Sequence, residues 1–315
     1  MSIENVAVVG AGYMGGGIAQ VLAMAGFQVA ITDADPETTL RHRDRLYAEA
    51  AEFEREGLFD PGSAALVEAN LRAASSLADA VEGADFVEEA VLEVPEVKGP
   101  VLRDIEAVAR PGTFLGSNTS TLPISSLAAY LTRPASFLGV HFSNPAPFIP
   151  GVELIAHADT DEAAVVAAEE VVARTGKLSA RVSDQAGFVL NRLQYVLLRE
   201  AVNLVEEGVA TAEDVDTIVR TTFGYRLPFF GPFAIADMAG LDVYAAGFRT
   251  LSEHYGERLA TPTMLTELVE AGKYGVKKDG GFVTPAGDQA PLVAYRNRAY
   301  ARLGQLLREL GPSPR

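Results

Sequence analysis

Residues 5–33 constrain the fold more tightly than any other stretch of this 315-residue chain. Asn5-Val-Ala-Val-Val9 is a short apolar run that enters the turn Gly10-Ala-Gly-Tyr-Met-Gly15, where Gly10, Gly12 and Gly15 keep the spacing G-x-G-x-x-G. Ile18, Ala19, Val21, Leu22 and Ala25 then recur at helical spacing, and Gly26 closes that helix. Phe27-Gln-Val-Ala-Ile-Thr32 reads as a second strand ending at Asp33. Each position has a physical task. Gly10 permits a tight turn, Gly12 lets the backbone approach a pyrophosphate, and Gly15 lets the helix pack on the strand. The helix start adds free N–H groups and the positive end of its dipole. Asp33 is placed to accept hydrogen bonds from a ribose diol. Strand, turn, helix, strand and terminal acid in this order predict a dinucleotide site, with Tyr13 and Met14 inside the turn that cradles it.

The length suggests two domains. At 48% hydrophobic and 22% charged residues, the chain has ample material for a packed core. Cysteine is absent, so thiol chemistry and disulfides are excluded, which fits a reducing compartment. No apolar run approaches membrane-spanning length, and Met1-Ser-Ile-Glu-Asn5 lacks the pattern of a leader. A cytoplasmic protein without membrane partners is therefore expected. A net charge of −16 argues against nucleic acid. The same charge requires any anionic ligand to be met by local arginines or helix ends, because only five lysines exist.

From Pro36 to about Glu56 the pattern is helical, basic in its first half and acidic in its second; a shorter helix follows to about Asn70. Strands are predicted over 85–92, 113–117, 137–142, 152–155 and 178–182, with helices over 95–108 and 161–174. This alternation predicts an α/β domain of the Rossmann type, a doubly wound and mostly parallel sheet, over residues 1–184. After Asp184-Gln-Ala-Gly187 the pattern turns helical, so residues 185–315 are expected to form an all-helical C-terminal domain. That region includes an amphipathic helix from Phe188 to Glu207, another capped by Thr211, and a last one over 292–310. The tail Gly311-Pro-Ser-Pro314 is expected to fray.

Three segments combine small polar residues with breaks in the pattern: Ser117-Asn-Thr-Ser120, His141-Phe-Ser-Asn144-Pro145 and Gly187-Phe-Val-Leu-Asn191. The first two lie just past strand ends, where open α/β sheets bind ligands. Glu153 interrupts the apolar run Val152-Glu-Leu-Ile155, where a carboxylate is costly unless paired. A pairing with His141 would satisfy it and favour the imidazolium, as a general base requires. Ser117, Asn118 and Asn191 read equally well as turn or cap residues. No metal site is expected.

With these segments in hand, the chain resembles the L-3-hydroxyacyl-CoA dehydrogenase family over residues 3–283. The motifs that carry the resemblance include Gly10–Gln20, Ser117–Ser120, His141–Pro145, Val152–Ile155, Gly187–Arg192, Gly231-Pro-Phe233 with Asp237, and Gly272–Lys278. The resemblance implies that NAD is the cofactor and that His141 takes the proton of a 3-hydroxyl, with Glu153 orienting the imidazole. It implies that Ser117 and Asn191 bind the substrate oxygens and that Asn144 helps position the substrate. It puts Asp33, Glu93, Lys98 and Asn118 beside the cofactor, together with the turn residues, and pairs two subunits through the helical domain. A 3-hydroxyacyl-CoA such as 3-hydroxybutyryl-CoA is the expected small-molecule substrate.

Two departures favour an alternative, a small free hydroxy acid that is gulonate- or carnitine-like. Phe148-Ile-Pro-Gly-Val152 resembles the gulonate-dehydrogenase and λ-crystallin branch, and residues 36–70 contain no lysine. A dinucleotide-binding protein without turnover is a third reading, which the paired base weighs against.

Asp33 would meet a 2′-phosphate with like charge, and Ala34-Asp35-Pro36 supplies no arginine to neutralise it. NAD is therefore expected to be preferred over NADP, and Asp33→Ser to narrow the preference mainly by weakening NAD. Comparing kcat/KM for NADH and NADPH checks this; equal or better use of NADPH by the unaltered protein overturns it.

Overall fold

The structure, a computed structural model, describes residues 3–312, so the end of the predicted fraying tail (313–315) lies outside it. The chain opens as expected: β1 (Asn5–Val9), α1 (Tyr13–Met24) and β2 (Gln28–Thr32). Next come α2 (Pro36–Arg55), α3 (Ser63–Asn70), β3 (Leu71–Ala73), α4 (Leu77–Val81) and β4 (Phe86–Glu89). After α5 (Pro95–Val108), β5 (Phe114–Ser117) and α6 (Ile124–Ala128) lie β6 (Phe137–Phe142), β7 (Gly151–Ala156), α7 (Glu162–Arg174) and β8 (Leu178–Ser183).

The eight strands form one sheet in the order β3-β2-β1-β4-β5-β6-β7-β8, and every neighbouring pair is parallel except β6 and β7. The order reverses between β1 and β4, so a crevice opens at their carboxyl ends. Two cores fill the two faces. On one, Ile18 and Leu22 of α1 pack with Val6, Val8, Leu138 and Val140. On the other, Leu102 and Ile105 of α5 pack with Ala7, Val87 and Leu115. Alternation along each strand sends successive side chains to opposite cores.

The rest is helical: α8 (Leu190–Glu206), α9 (Ala212–Thr221), α10 (Pro232–Ala239), α11 (Leu241–Tyr255), α12 (Thr263–Glu270) and α13 (Ala290–Leu310). By internal packing the chain divides into two compact units, one ending at Leu197 and the other starting at Leu198. In the second, Leu241, Ala245 and Leu265 form a small core. Asp237 has no exposed surface, and its carboxylate accepts the amides of Phe282, Val283 and Thr284 at 2.9, 2.9 and 2.8 Å. No helix is long and apolar enough to cross a membrane among the described residues.

The strand expected over 85–92 stops at Glu89, beyond which Leu92 is exposed and the chain has left the sheet. The short elements β3, α4 and α6 have no counterpart in the sequence-based expectation, because three to five residues hold too little periodicity to read.

Glu88 and Glu89 are adjacent, both buried, and face opposite sides of β4. Glu89 is fully paired, whereas neither oxygen of Glu88 has a partner among the described residues. Burial, reinforced by the charge of Glu89 and only partly offset by Lys98, pushes the Glu88 carboxyl well above its ordinary 4.5. The sign follows: neutral Glu88 supports folding below pH 4.5, and that contribution is lost as pH rises toward the raised native value. Glu88→Leu is therefore expected to stabilise the protein at neutral pH by roughly 1–3 kcal/mol, the cost of an orphaned buried polar group. Thermal unfolding across pH measures the gain, which should shrink toward pH 4.5.

Candidate active site

The dinucleotide turn leaves β1 at Gly10, whose φ of 92° is a conformation glycine adopts freely. A Cβ there would come within 2.8 Å of the backbone of Ala90, at the end of β4. A Cβ on Gly15 would overlap the carbonyl oxygen of Gly10, so α1 sits as close to the turn as a glycine allows. Above Gly12 the space is open. Asp33, at the end of β2, accepts the amides of Ala11 at 2.8 Å and Ala34 at 2.7 Å, and His42 Nε2 lies 3.6 Å from its Oδ2. Beside it is a cavity of about 470 Å³ lined by Gly10, Gly12, Asp33, Leu92, Val97 and Val101. An open glycine cradle, a carboxylate for a ribose diol and apolar walls for a flat ring fit a dinucleotide. Tyr13 and Met14 begin α1 directly behind the turn.

His141 and Glu153 are direct cross-strand neighbours in the antiparallel β6–β7 pair, which puts their side chains on one face. His141 Nδ1 lies 2.8 Å from Glu153 Oε2. The other oxygen of Glu153 accepts the amides of Val189 and Leu190, both at 2.9 Å. Burial alone would raise this carboxyl; the bonds from His141, Leu190 and Val189 outweigh it and hold it below its ordinary value. The carboxylate is therefore ionised and aligned on one imidazole nitrogen, leaving Nε2 for other work. The ring of Phe188 packs against the imidazole at 5.9 Å between centroids.

Ser117, at the end of β5, has no exposed surface, and its hydroxyl donates to Glu89 Oε2 at 2.6 Å. The substrate contact expected of Ser117 thus has no surface to act through. The serine at the partly exposed end of this loop is Ser120, whose carbonyl accepts Asn191 Nδ2 at 2.6 Å. Asn118 is turned inward: its Oδ1 accepts the amide of Phe142 at 2.8 Å. Asn144 is exposed in the turn that follows β6.

Lys98 is 1% exposed, and its ammonium is held by Glu89 at 2.9 and 3.2 Å and by Glu93 at 3.4 Å. Glu93 in turn accepts the Thr119 hydroxyl and the amides of Ser120 and Thr121, at 2.7, 2.7 and 3.0 Å. Glu93 and Lys98 so anchor the Ser117–Thr121 loop from below. Sequence reading missed Glu89 and Ser120. The signal for Glu89 was present, one of two adjacent acids that end the buried strand Phe86-Val-Glu-Glu89. Ser120 could be separated from Ser117 only by knowing where β5 ends.

Two family descriptions cover most of the chain. Residues 5–185 match the 3-hydroxyacyl-CoA dehydrogenase NAD binding domain, and residues 187–285 match the C-terminal domain of the same enzymes. The chain belongs to the 3-hydroxyacyl-CoA dehydrogenase family. As a member it is an NAD-dependent oxidoreductase acting on a CH–OH group.

Among its relatives is the 5-formyl-3-hydroxy-2-methylpyridine 4-carboxylate 5-dehydrogenase of Mesorhizobium japonicum, 36% identical over 308 residues, 97% of this chain and 98% of that one. The 3-hydroxybutyryl-CoA dehydrogenase of Mycobacterium tuberculosis is 35% identical over 286 residues, 90% of this chain and 99% of that one. A solved 3-hydroxyacyl-CoA dehydrogenase from Archaeoglobus fulgidus superposes with a TM-score of 0.79 at 31% identity, covering 98% of this chain and 99% of the other.

Proposed function

We propose that this dehydrogenase oxidises the 3-hydroxyl of a 3-hydroxyacyl-CoA, such as 3-hydroxybutyryl-CoA, to the 3-keto form, with His141 as general base. The observation that carries the reading is the 2.8 Å contact between His141 Nδ1 and the ionised Glu153. Bound NAD supplies the carbon that accepts the hydride. Gly10, Gly12, Gly15 and Asp33 hold the cofactor by its phosphates and ribose. His141 Nε2 takes the hydroxyl proton, while Glu153 keeps the proton on Nδ1 and offsets the charge that the imidazole gains. Ser120 and Asn191 bind the substrate oxygens, and Asn144 borders the entrance. Ser117 supports the same loop from inside through Glu89.

A second reading, a small free hydroxy acid, is favoured by the charges on α2. Arg41, Arg43, Arg45 and Arg55 are paired with Glu37, Asp44, Glu49 and Glu52 at 2.9, 2.6, 3.0 and 3.2 Å. Those guanidiniums are already engaged by carboxylates of their own helix, which leaves α2 little free positive charge for the phosphates of coenzyme A, and the Mesorhizobium relative is named for a free carboxylate. Steady-state rates with acetoacetyl-CoA against free hydroxy acids decide between the two. Efficient, saturable reduction of acetoacetyl-CoA supports the first reading; its neglect beside a turned-over free acid supports the second.

His141→Gln is expected to lower kcat by about 10²–10⁴-fold with NADH affinity unchanged. Glu153→Gln should cost less and shift the pH–rate profile. Ser120→Ala should raise KM or lower kcat more than Ser117→Ala. Unchanged kcat in the histidine variant would sink the assignment.

The second copy implied by the family is read onto α8, which buries no residue within the chain and exposes Tyr195, Leu198, Val202 and Val205 along its length. Sedimentation is expected to give a dimer, and Leu198→Glu with Val202→Glu a monomer.

A further inference from the structure

The second unit contains a cavity that the proposed chemistry does not use. Its volume is about 380 Å³, and it lies where α10 and α13 meet the turn at Gly224–Arg226. Arg226, Arg296, Asn297 and Tyr300 line it above an apolar floor that includes Ile235 and Met238. Among the described residues, neither guanidinium is paired with a carboxylate. Arg296 donates only to the neighbouring Asn297 Oδ1, at 3.2 and 3.0 Å. Neither caps α10, whose last turn is closed by the Gly240 amide on Ala236.

Two partly buried cations in one concavity are unusual in a chain of net charge −16. Their helix explains the local sign: α13 carries Arg296, Arg298, Arg302 and Arg308 against the single acid Glu309. A guanidinium fork suits planar or tetrahedral oxyanions, and the low-dielectric floor strengthens the contact. Arg296, Asn297 and Tyr300 also lie past residue 285, where the match to the family's C-terminal domain ends.

We propose that this cavity is an anion-binding site for a compact carboxylate or phosphate, separate from the dinucleotide turn. The two guanidiniums grip the oxyanion, the Asn297 amide adds a donor, and Ile235 and Met238 receive a short hydrocarbon body.

Calorimetric titration of the full chain with inorganic phosphate and with succinate, against chloride at matched ionic strength, tests this. Saturable binding of at least one anion is expected, about tenfold weaker in Arg226→Gln and in Arg296→Gln. The far-ultraviolet circular dichroism and thermal unfolding of both variants should match those of the unaltered protein, which reports an intact helical unit, and NADH affinity should be unchanged. Should a glutamine variant fail to fold by that measure, Arg226→Lys and Arg296→Lys replace it, keeping the charge and losing the fork, and anion binding should again weaken. Tighter binding of succinate identifies a carboxylate ligand, and tighter binding of phosphate a phosphate ligand. No saturable binding of either anion, or equal binding by the folded variants, overturns the proposal.

Discussion

The Glu153 carboxylate is the contact on which the candidate site depends. One oxygen meets the imidazole of His141, and the other gathers the amides of Val189 and Leu190 as the chain turns into α8. A carboxylate in an apolar strand must find donors or lose its charge, and these satisfy it. The same bonds therefore fix the imidazole and the start of a helix. The reversal of β7 makes this possible: antiparallel pairing sets residue 153 directly opposite 141 after a short turn, whereas a parallel partner would need a long crossover.

Ionisable groups inside or against the sheet are accommodated in three ways. Glu153 is paired with a histidine and two amides. Glu89 and Lys98 neutralise one another and extend through Glu93 to the loop that carries Ser120. Glu88, one residue from Glu89 and facing the other core, has no donor among the described residues, and burial pushes its carboxyl well above the ordinary value. Alternation along one strand thus sends two chemically identical side chains into different surroundings, one fully paired and one without a donor among the described residues.

Local order explains what the sequence made legible. The β1–α1–β2 unit could be read because strand, glycine and helix periodicities follow one another without interruption. His141 and Glu153 could be read because each is polar inside an apolar run. Ser117 and Ser120 share one motif, and their different surroundings arise from where β5 stops pairing, which only the neighbouring strands decide. Lys98 is placed beside the cofactor by family resemblance alone; its burial against Glu89, on another element, has no local signal in the sequence. The boundary read at residue 184 marks the end of the strands, whereas compactness divides the chain at Leu197, because α8 begins against Glu153 and runs on into the helical unit.

Asp237 shows how one buried polar side chain can reach far along the chain for its partners. Its buried carboxylate draws all three of its amide donors from residues 282–284, well after the helices of its small core. A chain ending before Phe282 would keep Leu241, Ala245 and Leu265 yet leave a buried polar side chain without its three donors. The extent of this unit thus follows from where one buried side chain finds its hydrogen bonds, and not only from the helices that enclose its apolar residues.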